Sequence, residues 1–287
     1  MLSRQQINAF EEEGFIVVEE LFDSADFHDL KSEFTAVVDA RAHVLQQAGK
    51  LTRLWADESF ETRVARIAEE APEVSEALQT RAHKGPALFA FMKHEKILDR
   101  IESLLGSEIL CHPSYNLHPR LPGIATSSHQ DAGYYLPDGD ATLIVACLIP
   151  LVDTTPEGGC LWVAPRRHRE GVLHHVQGTS GLDVGLEAVP AAHRLPVPTR
   201  AGSMVIFSSM LPHGSLVNRS DRVRWSMDLR YQKLGEPTGR WYVPGFVARS
   251  RANPQSECAD WRTWVEDVER VGRWAATQPE RTRSRWQ

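Results

Sequence analysis

The chain has 287 residues and a formal net charge of −6, with 42% hydrophobic and 24% charged residues, which is ordinary for a globular protein and excludes extensive disorder. The acidic balance disfavours nucleic acid as a partner, because such partners select a basic surface. The longest apolar run, at 143–152, is far shorter than the stretch of about 20 residues that a membrane span needs. The N-terminus lacks the apolar core of a signal peptide, and the four cysteines lack disulfide or zinc spacing, so we expect a reduced, cytoplasmic protein.

The first third of the chain is predicted to be mainly helical. Ser3 and Gln6 have the spacing of a capping box, and Gly14 ends the short helix that they begin. The apolar run at 15–18 predicts a strand. A long helix, indicated by its apolar spacing, begins near Ser24 or Asp26 and continues through 43. Further helices are predicted at about 58–70, 73–83 and 93–105.

The pattern changes near residue 107, where short β-rich runs alternate with turn residues. Such a series is typical of a sandwich, barrel or jelly roll. A helix is predicted at 258–276. No linker separates these parts, so we expect one domain over 1–287, with a helical part at about 1–106, a β core at about 107–232 and a tail at 233–287. The predicted core strands are 108–112, 114–118, 142–149, 160–163, 195–198, 203–207 and 222–232.

One short motif carries metal chemistry. In extended backbone the side chains of His129 and Asp131 point to the same face, so they offer an imidazole and a carboxylate to a single metal. His213 is the best candidate for a third ligand. Two histidines and one carboxylate form the facial triad of non-haem Fe(II) oxygenases, which leaves coordination positions open for a co-substrate and O₂.

A second pattern points to a carboxylate anchor near this metal. Residues 218–221 have turn chemistry, and a hairpin around them predicts that Ser215 lies opposite Arg224 and His213 opposite Ser226. An arginine beside a serine hydroxyl can bind a carboxylate in bidentate fashion. Alternation along the second strand predicts one polar face, made of Arg222, Arg224, Ser226, Asp228 and Arg230, and one apolar face, made of Val223, Trp225, Met227, Leu229 and Tyr231.

Four ordered motifs between residue 7 and about residue 231 resemble one family. They are the opening INAFEEEGFIVVEELF, the segment HQDAGYY with Tyr134 at its aromatic position, the strand and loop EGGCLWVAPRRHREG, and PHGSLVNRSDRVRW, in which Arg224 follows His213 by eleven residues. Together they resemble the phytanoyl-CoA dioxygenase family of Fe(II)/2-oxoglutarate-dependent oxygenases.

The resemblance implies a double-stranded β-helix, a cupin-like jelly roll flanked by N-terminal and C-terminal helices. It implies iron held by His129, Asp131 and His213, with 2-oxoglutarate bound by Arg224 and Ser215. The expected reaction consumes O₂ and 2-oxoglutarate, releases succinate and CO₂, and most simply hydroxylates a small organic substrate. Asp131 favours oxidation over halogenation, because related halogenases lack this carboxylate.

Two departures from the family pattern concern loops. Residues 157–159 are Glu-Gly-Gly, and Pro165 is followed by Arg166 and Arg167, which are either a solvated loop or a contact for an acidic substrate. Two alternatives stay open: a metal-dependent cupin-type enzyme without a 2-oxo acid, which Arg224 and Ser215 argue against, and a non-catalytic jelly-roll binding module, which the complete triad argues against. Substrate contacts are expected from the helical part, from 121–128 and from the tail.

Overall fold

The computed structural model describes residues 1–78, 83–178, 181–278 and 285–286. The helices are α1 (Arg4–Glu13), α2 (His28–Gln47), α3 (Arg63–Glu70), α4 (Pro86–Met92), α5 (Glu95–Leu105), α6 (Gly185–Ala188) and α7 (Trp261–Ala276). The strands are β1 (Phe15–Val18), β2 (Glu108–Cys111), β3 (Asn116–Arg120), β4 (Val145–Pro150), β5 (Leu161–Val163), β6 (Val176–Gly178), β7 (Gly181–Asp183), β8 (Leu195–Val197), β9 (Met204–Ser208), β10 (His213–Ser215), β11 (Arg224–Lys233) and β12 (Phe246–Ser250).

The N-terminal elements follow the local signals in the sequence. The Ser3 hydroxyl accepts the Gln6 amide N–H, and the Gln6 side chain accepts the Ser3 N–H, which completes the capping box at the start of α1. Gly14 ends α1 with a left-handed φ of 82°. The helix predicted at 73–83 is instead a 3₁₀ segment, Pro72–Leu78, and its last predicted residues include 79–82, outside the described ranges.

The strands form two antiparallel sheets and a separate hairpin. The large sheet has the order β1-β9-β4-β11-β2-β12, and β3 also pairs with β11. The small sheet has the order β10-β5-β8, and β6 pairs with β7. The two edge strands of the large sheet lie outside the predicted β core at 107–232. Strand β1 comes from the part predicted to be mainly helical, and β12 comes from the predicted tail.

The predicted hairpin between β10 and β11 is wrong. His213 lies opposite Val163, and Ser215 lies opposite Leu161, because β10 belongs to the small sheet. Strand β11 belongs to the large sheet, where Arg224 lies opposite Arg120. The residues between the two strands therefore cross from one sheet to the other.

Side chains along β11 point alternately to the two faces of the large sheet: one face packs against the helices, and the other carries buried polar side chains. Trp225 and Tyr231 belong to the main hydrophobic core, in which the large sheet packs against helices that contribute Phe34 and Ile97. The opposite face of the large sheet looks towards the small sheet, across a smaller core that includes Leu148, Leu161 and Phe207. On this inner face Arg224, Ser226, Asp228 and Arg230 are all buried, whereas Arg222 is exposed and pairs with Glu61.

Among the described residues, no helix combines the length and the apolar character that crossing a bilayer requires.

Candidate active site

The buried side chains of His129, Asp131 and His213 lie close together in the interior of the protein. The Nε2 atoms of His129 and His213 each lie 3.9 Å from Oδ1 of Asp131. One potential ligand atom from each residue lies within 4.8 Å of the others. Two imidazoles and one carboxylate at this spacing can hold a divalent transition metal and leave positions open on its other side.

Main-chain carbonyls orient both imidazoles. His129 Nδ1 lies 2.9 Å from the Ser127 carbonyl oxygen, and His213 Nδ1 lies 2.9 Å from that of Leu211. With the proton on Nδ1 donated to these oxygens, each Nε2 presents its lone pair to the cluster. Burial, followed by the neighbouring His213, lowers the pKa of His129 to about 3. The neutral imidazole is the form that ligates a metal.

Backbone pairing brings the two histidines together. The His129 N–H donates to the His213 carbonyl at 2.9 Å, and the His213 N–H donates to the His129 carbonyl at 2.8 Å. Gly214 permits this close approach, because a Cβ there would lie 2.7 Å from the Trp162 ring and 3.0 Å from the Ser127 carbonyl oxygen. Any larger residue between His213 and Ser215 would push β10 away from its neighbours.

Arg230 holds the carboxylate of the cluster. Its Nε donates to Asp131 Oδ2 at 2.7 Å, its Nη2 donates to Asp131 Oδ1 at 2.6 Å, and Nη2 also reaches Asp228 Oδ2 at 2.7 Å. Burial by itself raises the pKa of Asp131, but the charge and hydrogen bonds of Arg230 outweigh it and hold the pKa below its ordinary value. The alternation of side chains along the strand predicted that Arg230 lies on the same face as Arg224, but nothing in the sequence indicated that Arg230 pairs with Asp131.

Arg224 is a buried cation that forms no ion pair with any of the described carboxylates. Its guanidinium donates no hydrogen bond to any described residue, and its Nε is fully enclosed. Burial, together with the nearby Arg120, lowers the pKa of Arg224 to about 9. Ser215 lines the same cavity from the small sheet, and its hydroxyl accepts the Thr126 N–H at 2.7 Å. An unpaired buried guanidinium is poised to bind an anion.

Gln130, between the two predicted ligands, points away from them. Its Nε2 donates to the carbonyl oxygens of Gly171 at 2.8 Å and Met210 at 2.6 Å, and its Oε1 accepts the Leu173 N–H at 2.7 Å. Its own N–H donates to His175 Nε2 at 3.0 Å. The residue thus fastens the metal-binding segment to two loops, a role that sequence reasoning did not find.

The cluster opens into a cavity of about 630 Å³. Part of its lining comes from the sheets and carries Arg120, Arg224 and Ser215. We call one further part of the lining the flanking wall, which comprises Lys84, Pro113, Ser114, Tyr115, Arg240, Tyr242, Val243, Pro244 and Val268. The three regions from which substrate contacts are expected all contribute to the lining: Lys84 comes from the helical part, Thr126 from 121–128, and Arg240 and its neighbours from the tail.

Arg166 and Arg167 do not reach this cavity. The Arg166 side chain is 65% exposed and pairs with Glu13 at 2.5 Å. Arg167 pairs with Glu170 at 2.5 Å and also bonds the Ala188 carbonyl. Of the two interpretations, the structure favours the solvated loop, because both arginines have counter-ions of their own and neither lines the cavity of the His129, Asp131 and His213 cluster.

Comparison with known proteins decides the family. The family model described as "Phytanoyl-CoA dioxygenase (PhyH)" matches residues 10–226. The chain belongs to the phytanoyl-CoA dioxygenase family. This confirms the resemblance drawn from the four motifs, and the match covers His129, Asp131, His213, Ser215 and Arg224.

Among curated relatives, methylphosphonate hydroxylase of Gimesia maris is 30% identical over 141 residues, 49% of this chain and 52% of that protein. Ectoine dioxygenase of Bordetella bronchiseptica is 22% identical over 251 residues, which cover 81% of this chain and 76% of that protein. The chain therefore spans about half the length of the first relative. Among solved structures, the non-haem monooxygenase ThoJ superposes with a TM-score of 0.63 at 20% identity, covering 96% of this chain and 98% of that one, which shows the shared fold.

These findings confirm the jelly-roll fold expected for a phytanoyl-CoA dioxygenase family member. The described residues also supply the His129, Asp131 and His213 cluster that the resemblance implies for a metal site. The donor set fits Fe(II), because two neutral imidazoles and one carboxylate on one side are the ligands that non-haem iron sites use. No observation favours the cupin-type enzyme or the binding module.

Proposed function

We propose that the protein is a dioxygenase that oxidises, and most simply hydroxylates, a small organic molecule in the cavity described above. The observation that carries the proposal is the pairing of the buried His129, Asp131 and His213 cluster with the unpaired Arg224 in one cavity. The relatives named for methylphosphonate and ectoine support a small-molecule substrate. Four free cysteines, three of them buried, support a cytoplasmic location.

In this proposal His129, Asp131 and His213 ligate Fe(II). The two Nε2 lone pairs and the carboxylate occupy one side, and the Nδ1 hydrogen bonds hold both rings in the ligating tautomer. When bound, the iron supplies the O₂ chemistry that couples oxidation of 2-oxoglutarate to oxidation of the substrate. Arg230 keeps the Asp131 carboxylate ionised and fixed in position.

Arg224 binds the distal carboxylate of 2-oxoglutarate, and Ser215 lines the same cavity from the small sheet. The charge-assisted bonds replace the solvation that burial removed from the guanidinium. Leu148, Leu161 and Phe207 line the same cavity and limit the access of water. The whole chain, 1–287, is proposed to act as one domain.

Anaerobic titration of the purified protein with Fe(II) and 2-oxoglutarate tests the proposal. We expect the visible metal-to-ligand charge-transfer band that forms when a 2-oxo acid chelates Fe(II), followed by succinate production when air is admitted. His129→Ala and Asp131→Ala are expected to abolish both signals. Absence of the band from protein shown to contain iron, or full turnover in either variant, would contradict the assignment.

A further inference from the structure

The flanking wall carries a cation that the proposed reaction does not use. Arg240 lies between β11 and β12, and its side chain lines the cavity beside Ser114. It comes from the tail, not from the sheets that hold the metal cluster and Arg224. Its contacts therefore indicate what a substrate, rather than the co-substrate, presents to the site.

The protein leaves the Arg240 guanidinium poorly satisfied. Nη1 lies 3.4 Å from Ser114 Oγ, at the long limit of a hydrogen bond, and Cζ lies 5.9 Å from the centre of the Tyr135 ring. The Nε atom is buried and has no partner. In the described part of the chain, no carboxylate forms an ion pair with Arg240. A half-buried guanidinium in this state has lost solvation without receiving a counter-charge.

The sum of charges in the cavity, with Fe(II) and 2-oxoglutarate bound, also indicates that Arg240 needs an anionic partner. The carboxylates in the cavity lining, Asp131 and Asp228, both pair with Arg230. A divalent metal and a dianionic co-substrate offset each other, and Arg224 offsets the remaining carboxylate charge. The three other cationic side chains of the lining, Lys84, Arg120 and Arg240, then exceed the negative charge in the cavity. A neutral or cationic substrate would leave this excess of positive charge uncompensated, whereas an anionic one would neutralise it.

We infer that the substrate is a small molecule carrying an oxyanion, either a carboxylate or a phosphorus oxyanion, and that Arg240 binds this group. Ser114 Oγ, on the same wall, is placed to donate a second hydrogen bond to it. The inference rests on the proposed function, because the charge balance includes Fe(II) and 2-oxoglutarate. Arg240 is thereby a specificity residue, and Arg224 remains the anchor of the co-substrate.

The test uses the full chain loaded anaerobically with Fe(II) and saturating 2-oxoglutarate. The probes are methylphosphonate, propionate and dimethyl sulfone, the last a neutral molecule with two acceptor oxygens. Binding is followed by perturbation of the charge-transfer band and by thermal shift. We expect methylphosphonate or propionate to bind at least about tenfold more tightly than dimethyl sulfone, and the better of the two identifies the oxyanion.

Arg240→Gln is expected to weaken oxyanion binding about tenfold or more and to leave 2-oxoglutarate affinity unchanged, while Arg240→Lys retains part of the oxyanion affinity. Arg222→Gln, which removes an exposed arginine of the crossing segment, is the matched control. The inference fails if the sulfone binds as tightly as the oxyanions, if Arg240→Gln binds them normally, or if it loses 2-oxoglutarate to the same degree. Absence of the band in wild type would contradict the proposed function, and thermal shift with the three probes would still decide the role of Arg240.

Discussion

A buried arginine without a counter-ion costs stability until an anion arrives. Arg224 is buried, no carboxylate in the described part of the chain forms an ion pair with it, and Arg120 lies directly opposite it on β3. Arg224→Gln is therefore expected to raise the 2-oxoglutarate concentration needed for half-saturation by roughly 10- to 100-fold. The apparent affinity for Fe(II) should change little. Titration of the charge-transfer band at fixed Fe(II) measures the effect.

Thermal stability provides an independent readout of the same residue. A ligand that binds only the folded state raises the melting temperature, so 2-oxoglutarate added to the Ni(II)-loaded wild type should stabilise it further. At the same concentration this additional shift should be much smaller in Ni(II)-loaded Arg224→Gln, although the variant without ligands should be at least as stable as the wild type. Equal ligand-induced shifts in both proteins would remove Arg224 from the proposed role.

Arg230 acts on the metal through Asp131 and is a positioning residue. Arg230→Met would leave the carboxylates of Asp131 and Asp228 buried without their shared cation, so one of them would tend to retain a proton. Loss of such an outer partner costs about 10- to 100-fold in metal affinity, and we expect that loss at pH 7, with partial recovery at higher pH. Arg230→Lys keeps the charge but not the two-pronged geometry and should be intermediate. Anaerobic Fe(II) titration at two pH values measures this; equal affinities at pH 7 would exclude the role.

At the scale of elements, the metal-binding segment depends on an amide that faces away from the metal. Gln130 makes three side-chain hydrogen bonds to the loops at 171–173 and 210. Gln130→Met removes these bonds at nearly constant volume and leaves two part-buried carbonyl oxygens and one N–H without this partner. We expect a loss of roughly 2–4 kcal/mol in the free energy of unfolding, together with weaker metal retention. Chemical denaturation gives the first quantity; a loss below about 0.5 kcal/mol would show that these bonds are dispensable.

The strand carrying Arg224 shows what local sequence determines. Alternation correctly placed Arg224 and Arg230 on an inner face, because side chains in a strand alternate whatever the partner strand is. The predicted partner of β11 was wrong, since turn chemistry alone does not distinguish a hairpin from a crossing between sheets. Asn218 is buried, and its Nδ2 donates to the Arg120 carbonyl at 2.9 Å and to the Arg222 carbonyl at 2.7 Å, so it pins the crossing segment to β3.

The other features that the sequence did not predict depend on contacts between residues far apart in the sequence. Asp131 and Arg230 are 99 positions apart, and no spacing rule connects them. The residues of the proposed metal site could be found from the sequence because His129 and Asp131 lie within one short motif and because the motif around His213 resembles a known family. Arg240 could not be found in this way, since only the folded tail places it beside Ser114.

At the scale of the whole molecule, an acidic protein encloses a cationic cavity. The chain carries a net charge of −6, whereas five cations and two carboxylates line the cavity. Residues 285 and 286 pack against the segment that follows Asp131. Arg285 pairs with Asp140 at 2.5 Å, and Trp286 Nε1 donates to the Gly133 carbonyl at 2.7 Å. Both termini of the described chain thus support the core: β1 extends the large sheet, and the C-terminal residues hold the segment that follows Asp131.

Global stability is expected to depend on pH through His112, a buried histidine outside the metal cluster. Burial, offset in part by its bond to the Thr238 carbonyl, lowers the pKa of His112 from 6.5 to about 3. Between these values the unfolded chain binds a proton at this position and the folded chain does not, so stability falls as the pH falls below about 6.5. One such group contributes a slope of about 1.4 kcal/mol per pH unit.

His112→Gln removes this titration and keeps a group able to donate to Thr238. At pH 8 the imidazole is neutral in both states, so the difference between wild type and variant there measures the packing cost alone. Between pH 6.5 and 5 the stability of the variant should fall less steeply than that of the wild type, by the slope of one proton. Urea denaturation of metal-free protein across this range measures both slopes, and parallel curves would mean that His112 takes up its proton in the folded state as readily as in the unfolded one.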